Sequence, residues 1–173
     1  ALPIYSFAHF APPETVLLVK AHPLDSSYTN WRARLAAKAR RLGIEGRVCY
    51  IDGGDLDALS AAAQGMVCVN STSGTLALEA GTPVAVLGDA IYDIRGITHW
   101  GGLDSFWSQP TPPDARLWDA FKRVLHARCL VRGGLASASA NAILVRNSVT
   151  RLLCQDQTTN PAEAPLPPMR GLG

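Results

Sequence analysis

MVCVNSTSGTLALEAGTPVAVLG, residues 66–88, is the stretch on which the fold reading turns. It opens with a short apolar run, Met66–Asn70, and closes with another, Pro83–Leu87. Both are continuous rather than alternating, as strands buried on two faces are. Between them Ser73–Ala80 reads as a helix, closed by Gly81. Strand, helix, strand in so few residues predicts a parallel pair with a right-handed crossover.

The same unit repeats toward the amino terminus. Thr15–Lys20 (TVLLVK) and Arg47–Ile51 (RVCYI) are two more short apolar runs. Asn30–Leu42 lies between them, with Trp31, Leu35, Ala39 and Leu42 on one helical face. Arg32, Arg34, Lys38, Arg40 and Arg41 take the wet sides, and Gly43 ends the helix. Asp55 caps a further helix over 55–63. The order βαβαβαβ predicts an α/β fold: a Rossmann-like parallel sheet with flanking helices.

After Leu87 the pattern changes. Residues 88–113 have no clear period, and loops of that length are usually functional. A helix over 114–131 follows, with Leu117, Phe121, Val124, Leu125 and Leu130 read as inward. Gly133 and Gly134 break it, and a second helix covers 139–153. The Pro-rich tail has little to bury, so residues 1–155 form the folded lobe and 156–173 are expected to be disordered.

Composition narrows the class. Sixteen Lys and Arg against 14 Asp and Glu give a net charge of +2, too weak to argue for nucleic acid. No apolar run reaches the roughly 18–20 residues of a membrane span, and no basic-then-apolar leader opens the chain. Cys49, Cys68, Cys129 and Cys154 form no CxxC or Cys/His metal spacing and read as buried, reduced thiols of a cytosolic protein.

Three places carry chemistry. His22 follows the carboxyl end of the first strand, where open parallel sheets bind ligands. It can bond a phosphate or donate a proton, and Pro23 stiffens the turn after it. Asn70, Ser71, Thr72, Ser73 and Gly74 join the third strand to its helix. Three hydroxyls at a helix start suit an anion, although one of them would suffice as a cap. In 88–107, Tyr92, Asp93, Arg95, His99, Asp104 and Trp107 either line a pocket or pack a loop. Asp52–Asp55 reads either as a turn with a cap or as an approach to a nucleoside.

Taken in order, KAHPLD at 20–25, YIDGGDL at 50–56, VNSTSGTLALEAGTPVAVLG at 69–88 and YDIRGIT with GGLDSFW within 92–107 resemble the capsule polysaccharide biosynthesis and export family. Members of that family include bacterial β-Kdo glycosyltransferases, which use CMP-Kdo. The resemblance covers roughly residues 7–153. It implies one lobe of a glycosyltransferase-B type fold, the carboxyl-terminal, donor-binding one, with carboxyl-terminal helices. Carried over by motif, His22 is the catalytic candidate at the donor phosphate, and Ser71 and Thr72 bind the CMP phosphate. Glu79 is a candidate for the ribose, and Pro23, Asn70, Ser73, Tyr92 and Asp93 complete the predicted site.

The resemblance implies no metal and no cofactor, only a CMP-sugar substrate. The implied partners are a glycolipid or polysaccharide acceptor and capsule assembly proteins at the inner membrane. The implied location is cytoplasmic or peripheral to that membrane. Ala21 departs from the family pattern just before His22, and the amino-terminal lobe expected to carry the catalytic carboxylate has no counterpart here. The alternatives are a transferase for another CMP-sugar, such as CMP-sialic acid, and a non-catalytic export or interaction component that keeps the fold.

Overall fold

The computed structural model describes residues 2–22 and 28–155. Its elements are α1 (Leu2–Phe10), β1 (Leu17–Lys20), α2 (Trp31–Arg41), a 3-10 turn (Glu45–Arg47), β2 (Val48–Ile51), α3 (Leu56–Ala62), β3 (Met66–Cys68), α4 (Ser73–Glu79), β4 (Val84–Val86), α5 (Leu103–Phe106), α6 (Ala115–Arg128) and α7 (Ala138–Gln155). The chain divides into two compact units, Ala1–Lys122 and Arg123 onward. The predicted tail, 156–173, lies outside the described residues.

Local chemistry starts and stops the helices where the sequence places its signals. Asn30 Oδ1 accepts from Ala33 N at 2.9 Å at the start of α2. Asp55 Oδ1 accepts from Asp57 N at 3.0 Å and Ala58 N at 3.3 Å at the start of α3. Asp114 Oδ1 does the same for Arg116 N and Leu117 N before α6. Each cap satisfies amides that have no partner within their own helix. Gly43 and Gly81, at φ 66° and 79°, turn the chain out of α2 and α4 in the left-handed region.

All four strands pair in parallel, but not in one sheet. β1 pairs with β2, Leu17 opposite Val48 through Lys20 opposite Ile51. β3 pairs with β4, Met66 opposite Val84 through Cys68 opposite Val86. The single sheet expected from the sequence is therefore corrected to two two-stranded sheets. A continuous sheet would need β1 and β3 about 4.8 Å apart. Instead, side chains of both strands line one cavity of about 680 Å³.

Burial corrects a second expectation. Only β4 is buried along its whole length; β1, β2 and β3 are at best half-buried, and Leu18 is 43% exposed. Cys49, Cys129 and Cys154 are exposed and Cys68 is intermediate, because their elements are not covered on both sides.

Each sheet has its own core. Val84 and Val86 of β4 pack with Ala77, Leu78, Tyr92, Ile97 and Trp118. Beside β1 and β2, Ile4, Phe7, Ala39 and Ile44 form a second cluster, joined by Leu17, Leu35, Val48 and Trp107. Trp107 meets Phe7 edge-on at 5.2 Å. On α6 it is Trp118 that is buried, stacked on Phe121 at 5.6 Å, while Leu117 and Val124, read as inward, are exposed. In the second unit Ser137 Oγ caps α7 at Ala140 N, and Asn147 Nδ2 and Arg151 donate back to the carbonyls of Arg132 and Leu130.

Candidate functional site

The loop between β3 and α4 is held from both ends. Leu87 N donates to Cys68 O at 2.9 Å and Gly88 N to Val69 O at 3.1 Å, which ties the ends of β3 and β4 together. Gly88 is required there, since a Cβ would lie 2.8 Å from Val69 Cγ1. Asn70, Ser71 and Thr72 then emerge exposed.

The hydroxyls brace the turn internally. Ser71 Oγ accepts from Ser73 N at 3.2 Å and from Ser73 Oγ at 2.7 Å. A serine oxygen has two lone pairs and one hydrogen. With both lone pairs engaged, the Ser71 O–H is left as a donor. Thr72 already has helical geometry, φ −61° and ψ −18°, and its side chain caps nothing. Its carbonyl accepts from Thr75 N at 3.0 Å and Thr75 Oγ1 at 2.7 Å.

Tyr92 lies beneath this loop, 2% exposed, in the β4 core. Its hydroxyl donates to the Ser71 carbonyl and lies 3.4 Å from Cys68 Sγ. Burial, and then the Cys68 contact, push the phenol well above its ordinary range, so it stays protonated. Asp93 turns inward to its own loop, accepting from Thr98 Oγ1 at 2.6 Å, and Trp100 Nε1 donates to that Thr98 hydroxyl at 3.1 Å.

Of the remaining predicted residues, Glu79 lies apart from the loop. Glu79 ends α4, about 9 Å along the helix axis from Ser73. Its carboxylate accepts from Trp118 Nε1 at 2.8 Å and pairs with Lys122 Nζ at 2.8 Å. Those two donors hold it below the usual carboxylate range. His22 is exposed just past β1, where Ala21 N extends the ladder to Ile51 O at 2.9 Å. Pro23 lies outside the described residues.

Of the other loop residues of the sequence reading, Trp107 lines the cavity beside β1, Arg95 is exposed, and His99 and Asp104 are tied into the loop packing. His99 is buried, with Nδ1 3.0 Å from Thr111 Oγ1 and Nε2 2.9 Å from Ser105 Oγ. Asp104 accepts from Ser6 Oγ at 2.5 Å, and Trp107 Nε1 donates to the same Ser6 hydroxyl at 2.7 Å.

What sequence reasoning missed is the cavity. β1 contributes Leu18 and Lys20, β3 contributes Val67 and Cys68, and α2 contributes Trp31, Arg34, Lys38 and Arg41. Lys20 and Val69 line it, two residues before His22 and one before Asn70. Among the described residues, none that lines it is acidic. The signal was in the sequence: Trp31–Arg41 carries five cations and no carboxylate.

Parallel strand pairs with flanking helices, a hydroxyl-rich loop after β3 and a cation-lined cavity alongside define an α/β protein with its candidate site at strand carboxyl ends. More narrowly, the chain belongs to the capsule polysaccharide biosynthesis family: the family described as "Capsule polysaccharide biosynthesis protein" matches residues 3–135. It is 34% identical over 122 residues to the capsule polysaccharide export protein KpsS of Escherichia coli, covering 70% of this chain and 31% of that protein. It is 41% identical over 118 residues to the capsule polysaccharide modification protein LipB of Neisseria meningitidis serogroup A, covering 68% of this chain and 28% of that one. The chain thus spans less than a third of the length of these relatives. No solved structure matches it. Among the described residues, no helix is long and apolar enough to cross a membrane.

Proposed function

We propose that this chain is the donor-binding part of a capsule glycosyltransferase that takes Kdo from CMP-Kdo, built as one lobe of a glycosyltransferase-B type fold. The observation that carries the reading is the Asn70–Gly74 loop. It follows a parallel strand and keeps the Ser71 O–H as a donor while the Ser73 hydroxyl and amide brace the turn on the Ser71 oxygen. A phosphate on that donor gains a charge-assisted hydrogen bond, the stronger kind. His22, past the end of β1, supplies a second phosphate contact as the sugar leaves. The cations Lys20, Arg34, Lys38 and Arg41 give the neighbouring cavity the sign an anionic donor needs.

The rest of the proposal follows from the family. The acceptor is a glycolipid or polysaccharide, and the partners are capsule assembly proteins at the inner membrane, with the chain on the cytoplasmic side. A second reading is a non-catalytic export component that keeps the fold; the export protein KpsS among the relatives favours it.

Calorimetric titration with CMP and cytidine separates the two. The donor-binding reading expects CMP to bind and cytidine, lacking the phosphate, to bind more weakly. A chain that binds neither leaves the export reading standing and overturns the first.

A further inference from the structure

The sequence leaves Tyr92 either lining a pocket or packing its loop, and the structure buries it, 2% exposed, on the core side of the Asn70–Gly74 loop. Its phenolic oxygen reaches the Ser71 carbonyl across 21 residues of sequence. The same carbonyl accepts from Gly74 N at 3.0 Å, so both of its lone pairs are used, one by the loop itself and one from beneath. The ring fits only because position 74 lacks a side chain: a Cβ there would lie 2.8 Å from Tyr92 Cζ. Gly74 is therefore a space requirement of the tyrosine as well as the first turn of α4.

We propose that Tyr92 is a positioning residue for the Ser71 hydroxyl. It fixes the Ser71 carbonyl against the β4 core, and so aims the Ser71 O–H outward from the loop. The ring belongs to the same buried cluster as Leu78, Val86 and Ile97. The proposal rests on the donor-binding reading for its consequence in ligand affinity, but the brace itself does not.

The experiment has two arms on the full chain. Amide hydrogen exchange is measured on the parent and on Tyr92→Phe, which keeps the ring and removes the donor. Exchange at Ser73 and Gly74 should speed up, while Val86 in β4 stays protected. Calorimetry with CMP and cytidine follows on the same proteins. CMP binding should weaken about three- to ten-fold, the range of one lost hydrogen bond, and cytidine binding should not change. Gly74→Ala, which pushes the ring aside, should reproduce both effects.

Unchanged exchange at Ser73 and Gly74 in Tyr92→Phe overturns the brace, whatever the ligand does. Equal losses for CMP and cytidine overturn the positioning role and leave Tyr92 as core. If the parent binds no CMP, the donor-binding reading fails, and the exchange arm alone decides the brace.

Discussion

The β3–β4 half and the β1–β2 half of the first unit begin from the same kind of sequence and end differently. Val84, Ala85 and Val86 are all buried, closed over by α4, by the Tyr92–Ile97 loop and by Trp118. Leu17–Lys20 is just as apolar up to its last residue, yet one side of it opens on the cavity. The difference lies in what covers each pair. α4 offers Ala77 and Leu78 to its sheet, whereas α2 is rich in Arg and buries little beyond Ala39. A basic helix leaves room beside its strands, and the open half consequently carries the cations while the closed half braces the loop.

The largest expected contrast is in the cores. Leu78→Ala, at a 2% exposed position, should cost about 2–5 kcal/mol of unfolding free energy. Leu18→Ala, 43% exposed, should cost under about 1 kcal/mol, since there is little burial to lose. Denaturant unfolding monitored by tryptophan fluorescence measures both. Similar costs at the two sites would erase the distinction between the halves.

The open half is tied by a cation instead. Arg47 donates from Nε to Thr15 O at 3.0 Å and from its NH2 group to Pro12 O at 2.6 Å, and its guanidinium lies over the Phe7 ring at 4.8 Å. Arg47→Met keeps the apolar stem and should cost about 1.5–3 kcal/mol, the worth of charged hydrogen bonds. Arg47→Lys should restore little of it, because an ammonium cannot reproduce the fork. Full rescue by lysine in thermal unfolding would mean that charge alone holds this segment.

A smaller effect belongs to Glu79. Lys122 and Trp118 depress its carboxyl, so the pairing stabilises the fold above the ordinary carboxylate value of about 4.3 and is lost as pH falls through the lower folded value. The Glu79 side chain is 59% exposed and solvent screens the pair, which limits it to roughly 0–1 kcal/mol. Glu79→Gln should therefore be slightly less stable than the parent at neutral pH, and the gap should close in acid. A gap that widens on acidification would reverse the assigned sign.

The extent of what was legible follows from the range over which each signal acts. The strands, the Asp55 and Asn30 caps and the turn at Gly81 rest on neighbours in sequence, and the sequence carries them plainly. Whether β1 pairs with β3 depends on a ladder between distant residues, and a short apolar run does not say which edge is filled; here the two pairs stay separate. Within the candidate site, the hydroxyl loop was readable because its turn chemistry is local. Tyr92 was not, because its role comes from a hydroxyl meeting a carbonyl 21 residues away. Nor were the partners of Glu79, because Trp118 and Lys122 come from α6, 39 and 43 residues along the chain.

The central claim is that the Ser71 hydroxyl is a phosphate donor and not only a brace for α4. Calorimetric titration of Ser71→Ala against the parent tests it most directly, with CMP and cytidine run side by side. A charge-assisted hydrogen bond is worth about 1.5–3 kcal/mol, so the account predicts CMP binding about ten-fold weaker or more, with cytidine unaffected. Equal, small changes for both ligands, together with a lowered melting temperature, would contradict it and leave Ser71 as a helix cap.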